Sequence, residues 1–538
     1  MALKLDFNPN TRAFIWDVPP KAPETEEGVA WARKIGLDYS FTASEKACRY
    51  IYFTHLDYAA LPLFQYGTLR ARDELFLRKL EYDASWEQHS QRNIAAPPGL
   101  DYHPFQKSGI EYGLNRRNVI VGDQPGLGKT IQAIGIANEC QMDKVLVICP
   151  ASVRLQWRKE ILKWSVRERP LIYPVLKSAD GVHPNANWII VSYDLARSDV
   201  IHDLLLKHHF DMLVLDELHY LKTIDARRTR AVFGGADWEA VADRAEKIVG
   251  LTGTPLPNRP RECYTAVRSM CWDAIDWVSE DVFRGRFNPS IALPSGGVYE
   301  RVGRLPELQA RLRCNLMVRR MKRDVLDQLP SVTYEITPVQ EDKAVRAATK
   351  AESLLEIDPE ALAQGQHSGF DGQVSTVRRE MGEALAPHAI EHVKMLMDGG
   401  LDKLVLFAWH RSVMDTLEEA LSRFGVVRID GGTSATAKYR AVQKFQQDDR
   451  TRIILGNLLA SGTGVDGLQK VCSHAVFAES SWTPGDNEQC VDRLWRMEQK
   501  HGVLAQFLVA PGSVSERILH TAVEKAQQTH AALDRTAA

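Results

Sequence analysis

The chain has 538 residues, a formal net charge of −2, and ordinary globular fractions of hydrophobic (44%) and charged (25%) side chains. That length exceeds a single hydrophobic core and predicts three or four domains, while the near-zero charge excludes a global field for nucleic acid, so any such groove must come from local clusters. No run approaches a membrane span, Met1 to Phe14 already carries Lys4, Asp6 and Arg12 and does not read as a secretory signal, and the eight scattered cysteines read as reduced core residues of an intracellular protein.

Residues 1–100 predict a small α+β accessory domain. Phe14-Ile15-Trp16 and Tyr50-Ile51-Tyr52-Phe53 predict strands, and Thr25 to Ile35 and Leu69 to Tyr82 predict helices. Residues 101–262 alternate strands and helices. Val119-Ile120-Val121 predicts a strand, residues 123–130 a glycine loop, and Ile131 to Ala137 the start of a helix. Backbone N–H groups in such a loop cradle phosphate oxygens, and the helix N-terminus adds positive potential. Lys129 reaches the β- and γ-phosphates, and Thr130 places its hydroxyl on Mg²⁺. Gly126 and Gly128 give the loop its two flexible points. The strict Walker A pattern fails only at its first position, where Asp123 replaces Gly.

Phe210 to Leu215 predicts a buried strand ending in Asp216-Glu217-Leu218-His219. A carboxylate there is placed to hold Mg²⁺, which assigns Asp216 to the metal. The second acid, Glu217, is placed to orient and deprotonate an attacking water. His202, His208 and His209 read as a helix end entering that strand rather than as metal ligands.

Residues 263–385 predict mostly helical insertions, with loops at Asn288–Gly303 and Gln364–Gly372. Within them, residues 311–323 gather Arg311, Arg313, Arg319, Arg320, Lys322 and Arg323 with no acid among them. Such a run lines a DNA groove or forms a solvated helix face. Residues 386–519 return to alternating strands and helices, and 520–538 predict a polar helical tail.

Taken in order, these segments resemble a Snf/Swi-type ATPase of helicase superfamily two, over roughly residues 102–519. The P-loop and the Asp-Glu-x-His box carry the resemblance first. Ile148 to Ser152 with Gln156 to Glu160 resembles motif Ia, and Val191-Ser192-Tyr193 motif Ib. Leu251 to Pro255 with Asn258 resembles motif III, and Val318-Arg319-Arg320 through Leu329-Pro330 the Arg-Arg segment between the lobes. Leu406-Phe407-Ala408 with His410 resembles motif IV, followed by Arg428-Ile429-Asp430-Gly431 with Thr433. Gln489, Asp492, Arg493, Arg496 and Gln499 match motif VI. Two departures stand out. Glu498 replaces the usual Gly before Gln499, and the motif V stretch Ser461 to Leu468 is one residue longer than its pattern. Phe407 to Arg411, Arg428 to Gly431, and Phe477-Ala478-Glu479 with Trp482 and Pro484-Gly485 resemble the annealing-helicase branch.

The resemblance implies two tandem RecA-like lobes, at residues 101–262 and 386–519, with the helical insertions between them. It implies ATP and Mg²⁺ as ligands. His103 to Gly109 resembles the adenine-side segment, where the Gln106 amide offers a donor and an acceptor to adenine; the alternative is an exposed loop glutamine. In motif VI, Gln489 and Arg493 are i,i+4 and Arg493 and Arg496 are i,i+3, so all three are expected on one helix face, the arginines facing the γ-phosphate. The alternative is an exposed helix pairing with Glu488 or Asp492. Ser152 and Thr433 are expected either to touch DNA phosphates or to cap local turns. The expected activity is a DNA-dependent ATPase translocating on duplex DNA and remodelling forks or branched DNA, in the cytoplasm with a nuclear location left open. An RNA-directed or strand-separating helicase and a nucleotide-controlled clamp are the alternatives.

Overall fold

The computed structural model describes residues 4–10, 13–18, 40–43, 48–52, 66–235, 238–253, 260–275, 278–292, 298–300, 303–326, 329–355, 372–458 and 465–520. Four N-terminal strands, β1 (Lys4–Asn8), β2 (Ala13–Val18), β3 (Ser40–Ala43) and β4 (Cys48–Tyr52), pair antiparallel in the order β1-β2-β4-β3. The helix Leu69–Trp86 follows, with Thr68 accepting from the Ala71 amide at its N-terminus. The helix expected at Thr25 to Ile35 lies outside the described residues.

Seven parallel strands form the first lobe: β5 (Asn118–Val121), β6 (Val145–Cys149), β7 (Ile172–Pro174), β8 (Trp188–Ser192), β9 (Phe210–Asp216), β10 (Ala245–Leu251) and, after a short antiparallel hairpin of β11 (Ser290–Ala292) with β12 (Val298–Glu300), the edge strand β13 (Met317–Val318). Their order is β13-β5-β10-β9-β6-β8-β7. Every residue of β6 and β8 is buried, as a parallel sheet covered on both faces requires. The second lobe is a parallel sheet of β14 (Val332–Pro338), β15 (Leu404–Ala408), β16 (Val426–Ile429), β17 (Ile453–Asn457), β18 (His474–Phe477) and β19 (Val503–Val509), in the order β14-β19-β18-β15-β17-β16. Its helix Arg411–Leu421 buries Val413, Met414, Leu417 and Leu421, a helical stripe laid on the sheet.

The segment 263–385 is less purely helical than its sequence suggests. Val318 pairs with Val121 in the first sheet, and Val332 to Pro338 runs parallel to Val503 to Val509 in the second. The connection between the lobes is thereby an edge strand of each. The loop expected at Asn288–Gly303 contains the β11–β12 hairpin. The loop at Gln364–Gly372, apart from Gly372, and the tail beyond residue 520 lie outside the described residues.

The basic run at 311–323 is neither a DNA groove nor a solvated face. Arg311, Arg313, Arg319, Arg320 and Lys322 are all buried, and only Arg323 is largely exposed. Arg311 pairs with Glu307 at 2.7 Å, and the Arg313 guanidinium stacks 3.3 Å from the Trp86 ring centroid and donates to the Ser85 carbonyl. Through Arg313 and Arg320, which donates to the Glu87 carbonyl, the run ties the N-terminal helix to the first lobe.

Candidate active site

Parallel register sets the site. Val121 and Asp216 both lie beside Leu251, so the C-terminal ends of β5, β9 and β10 meet at one sheet edge. The glycine loop leaves β5 there, the acidic pair leaves β9, and Thr252-Gly253 leaves β10. Gly126 and Gly128 adopt φ of +91° and +77°, the left-handed region that favours glycine. A Cβ on Gly126 would stand 2.7 Å from the Arg496 Cβ, and one on Gly128 would stand 2.6 Å from Gln106 Nε2. Gly128 ends the loop and Lys129 and Thr130 open the helix Lys129–Glu139, both half-buried.

Lys129 Nζ donates to the Asp123 carbonyl at 2.8 Å. Burial lowers its pKa, opposed by Glu217, Asp123 and Asp216. Asp216 accepts from the Trp157 indole at 2.8 Å, and its backbone carbonyl accepts from the Tyr193 hydroxyl at 2.8 Å. Burial first, and then Glu217, raise the Asp216 pKa above the usual carboxylate range. Glu217 sits at φ +51°, a strained backbone for a side chain of its kind. His219 Nδ1 lies 3.4 Å from Glu217 Oε2 and 3.4 Å from Thr252 Oγ1. Burial lowers its pKa to about 4, so the ring is neutral at pH 7. The Lys129 ammonium and the Asp216 and Glu217 carboxylates converge at one loop mouth. This set fits a nucleoside triphosphate and a hard divalent cation.

Gln106 is wholly buried, not an exposed loop residue. Its Oε1 accepts from the His103 amide at 2.9 Å, and its Nε2 donates to the Leu127 carbonyl at 3.1 Å. The amide therefore braces the glycine loop. Asp123, the departure from Walker A, is buried against Arg320 at 3.0 Å and accepts from Gln132 at 2.9 Å. Arg319 donates to Gly122 at 2.7 Å and Gly253 at 3.1 Å, joining the loop to motif III. Both arginines thus serve the first lobe rather than the join between lobes. The Arg-Arg pair was the sequence signal for them, but its partners are distant in the chain.

The second lobe brings motif VI against the loop, though not on one helix face. The helix Pro484–Val491 carries half-buried Gln489 and ends two residues before Arg493. Arg493 and Arg496 lie in the irregular turns that follow, where Arg496 N bonds to the Leu494 carbonyl instead of continuing the helical ladder. Arg496 pairs with Asp466 at 2.9 Å and Arg493 donates to the Val465 carbonyl at 3.3 Å. Gln499 is buried and fixes the turn by donating to the Cys472 and Leu494 carbonyls. Thr433 exchanges hydrogen bonds with Asp430 in a local turn, and Ser152 is half-buried in the 3₁₀ turn Ala151–Val153. Thr254, Pro255 and Asn258 of motif III and Ser461 to Gly464 of motif V lie outside the described residues. His202 bonds to the Ala231 carbonyl, and His208 contacts Lys144. No helix among the described residues is long and apolar enough to cross a membrane.

An SNF2-related domain model matches residues 27–376, starting well upstream of the motifs, and a Helicase conserved C-terminal domain model matches 389–498. The SWI/SNF-related matrix-associated actin-dependent regulator of chromatin subfamily A-like protein 1 of Xenopus tropicalis is 29% identical over 79% of this chain and 44% of its own length. The DNA annealing helicase and endonuclease ZRANB3 of Homo sapiens is 28% identical over 80% of this chain and 40% of its own. The chain thus spans less than half the length of these relatives. A Sulfolobus solfataricus SWI2/SNF2 ATPase core in complex with dsDNA aligns at 18% identity and a TM-score of 0.38, covering 82% of this chain and 94% of that one. With the SNF2-related model spanning more than half its residues, the chain belongs to the SNF2-related family.

Proposed function

We propose that the chain is an ATP hydrolase driven by duplex DNA, and that hydrolysis moves it along the duplex, with forks or branched DNA as its working substrates. The observation that carries this reading is the approach of the Arg496 Cβ to Gly126, which sets the motif VI turn of one lobe against the phosphate loop of the other. Opening and closing of that contact would convert hydrolysis into displacement.

In this reading Lys129 and the loop amides of residues 126–130 bind the phosphates, and Gln106 holds the loop on its adenine side. Asp216 and the Thr130 hydroxyl would hold Mg²⁺, which when bound neutralises phosphate charge. Glu217 takes the proton of the attacking water, and neutral His219 links it to Thr252. Gln489 lies on the helix leading to the arginines, and Arg493 and Arg496 offset charge that grows in the transition state. The printed name of the human relative, a DNA annealing helicase, favours DNA over RNA. A strand-separating helicase, an RNA-directed one and a clamp with little turnover are the competing readings.

Steady-state ATP hydrolysis with single strands, duplexes, forks, junctions and RNA tests the proposal. Duplex or branched DNA should stimulate most. Lys129→Ala should nearly abolish turnover. Glu217→Gln should bind ATP and Mg²⁺ yet turn over slowly, and Arg493→Ala and Arg496→Ala should lower kcat more than nucleotide affinity. Near-wild-type turnover in all four variants would remove the proposed site.

A further inference from the structure

Lys322 is wholly enclosed, a rare state for lysine. Its backbone belongs to the first lobe, four residues past Val318 of β13, and its amide donates to Gln124 Oε1 in the glycine loop at 2.9 Å. Its Cε lies 3.4 Å from where a Cβ on Gly126 would stand. The ammonium reaches the other lobe. It lies 2.5 Å from Asp492 Oδ1, donates also to the Trp495 carbonyl, and sits 4.4 Å from the Trp495 ring centroid. The Trp495 indole in turn donates to the Pro330 carbonyl at 2.8 Å. Asp492 immediately precedes Arg493, and Trp495 immediately precedes Arg496.

Those two arginines stand past the end of the helix, on a turn held by short backbone bonds, and their side chains reach Asp466 and the Val465 carbonyl within the second lobe. What seats that turn against the first lobe is a contact from the first lobe itself. We propose that Lys322 is a positioning residue: by gripping Asp492 and the Trp495 carbonyl it sets the motif VI turn against the glycine loop and aims Arg493 and Arg496 at the transferred phosphate. The proposal rests on the ATP-hydrolase reading and assigns a role to a residue outside its chemistry.

The physical case is one of desolvation. A buried ammonium is costly unless paired, and Asp492 is its carboxylate partner. Burial lowers the ammonium's pKa to about 8, with Asp492 opposing the shift and Arg496 and Lys129 adding to it. The grip therefore has its full strength only while the two lobes stay together and exclude water. It belongs to the closed arrangement, the one in which the arginines face the loop.

A double-mutant cycle on the full chain tests this, with Lys322→Gln, Asp492→Asn and the pair, measured at saturating duplex DNA. Each single variant should lower kcat by about tenfold or more, as expected when a reacting group is displaced by a fraction of an ångström to an ångström. KM for ATP should stay within about twofold, because the loop itself is intact. The double variant should be no worse than the poorer single, because both remove one contact. Binding of a fluorescent ATP analogue should stay near wild type. Each single variant strands one charge of a buried pair and should melt earlier than wild type, whereas the double variant removes both charges and should melt above the poorer single, so kcat is compared at a temperature where all three are folded. Singles with wild-type kcat, losses that add fully in the double, or a loss confined to KM would overturn the proposal while leaving the ATP-hydrolase reading in place. A wild-type chain that hydrolyses no ATP under any nucleic acid would instead remove that reading, and the proposal with it.

Discussion

The Trp157 indole donates its N–H to Asp216 Oδ2 at 2.8 Å, tying the helix Arg154–Trp164 to the carboxylate at the end of β9. This bond opposes the rise in pKa that burial imposes on Asp216. It stabilises the ionised form that a metal needs. Trp157→Phe keeps the aromatic packing and removes the donor. The Mg²⁺ concentration for half-maximal ATP turnover should rise by about tenfold, the lower end expected for loss of an outer hydrogen bond to a metal ligand. The kcat at saturating Mg²⁺ should change little. A Mg²⁺ titration of the variant checks this, and an unchanged half-saturation point would detach Trp157 from the metal site.

Asp123 and Arg320 form an ion pair with side chains 0% and 1% exposed. Removing one charge leaves the other buried without its partner. Asp123→Asn should therefore destabilise the first lobe by about 3–5 kcal/mol. Urea unfolding followed by tryptophan fluorescence measures it. A loss below about 1 kcal/mol, the range of exposed pairs, would mean that Arg320 finds water in the variant.

His219 sets a pH dependence. Its folded pKa of about 4 lies below the ordinary 6.5, so the unfolded chain binds a proton between these values and the folded chain does not. This group's contribution to stability is therefore full above about pH 6.5 and is lost as pH falls toward 4, by at most about 3 kcal/mol. Asp216, whose pKa is raised, acts with the opposite sign at acid pH, so the comparison must be with a His219 variant. His219→Asn should flatten the fall in melting temperature between pH 6.5 and 4. Parallel melting curves for the two proteins across that window would contradict the assignment.

What the sequence made legible was local. The strand, glycine loop and helix around Lys129 are contiguous, and a strand of Phe210 to Leu215 followed by two acids needs no distant partner to be read. What stayed hidden depended on contacts across the chain. The basic run at 311–323 looks solvated until Trp86, Asp123 and Asp492 are brought to it from 170 residues or more away. The i,i+4 spacing of Gln489 and Arg493 suggests one helix face, but the chain turns after Val491, where Arg493 N and Leu494 N bond three residues back. Val332 to Pro338 carries β-branched residues that suit a strand, yet only its pairing with Val503 to Val509 makes it one. Gln106 has the amide that adenine recognition needs, but its burial and its bond to Leu127 follow from the fold alone.

Movement along duplex DNA, proposed above, requires that ATP hydrolysis and displacement be coupled. Displacement of a third strand from a triplex by the full chain reports movement without requiring the duplex to open. Displacement should depend on ATP, be lost in Lys129→Ala, weaken steeply with salt as expected for contacts mainly to phosphates, and occur without unwinding of a long plain duplex. No ATP-dependent displacement, together with strong unwinding of a plain duplex or stimulation by RNA alone, would contradict it.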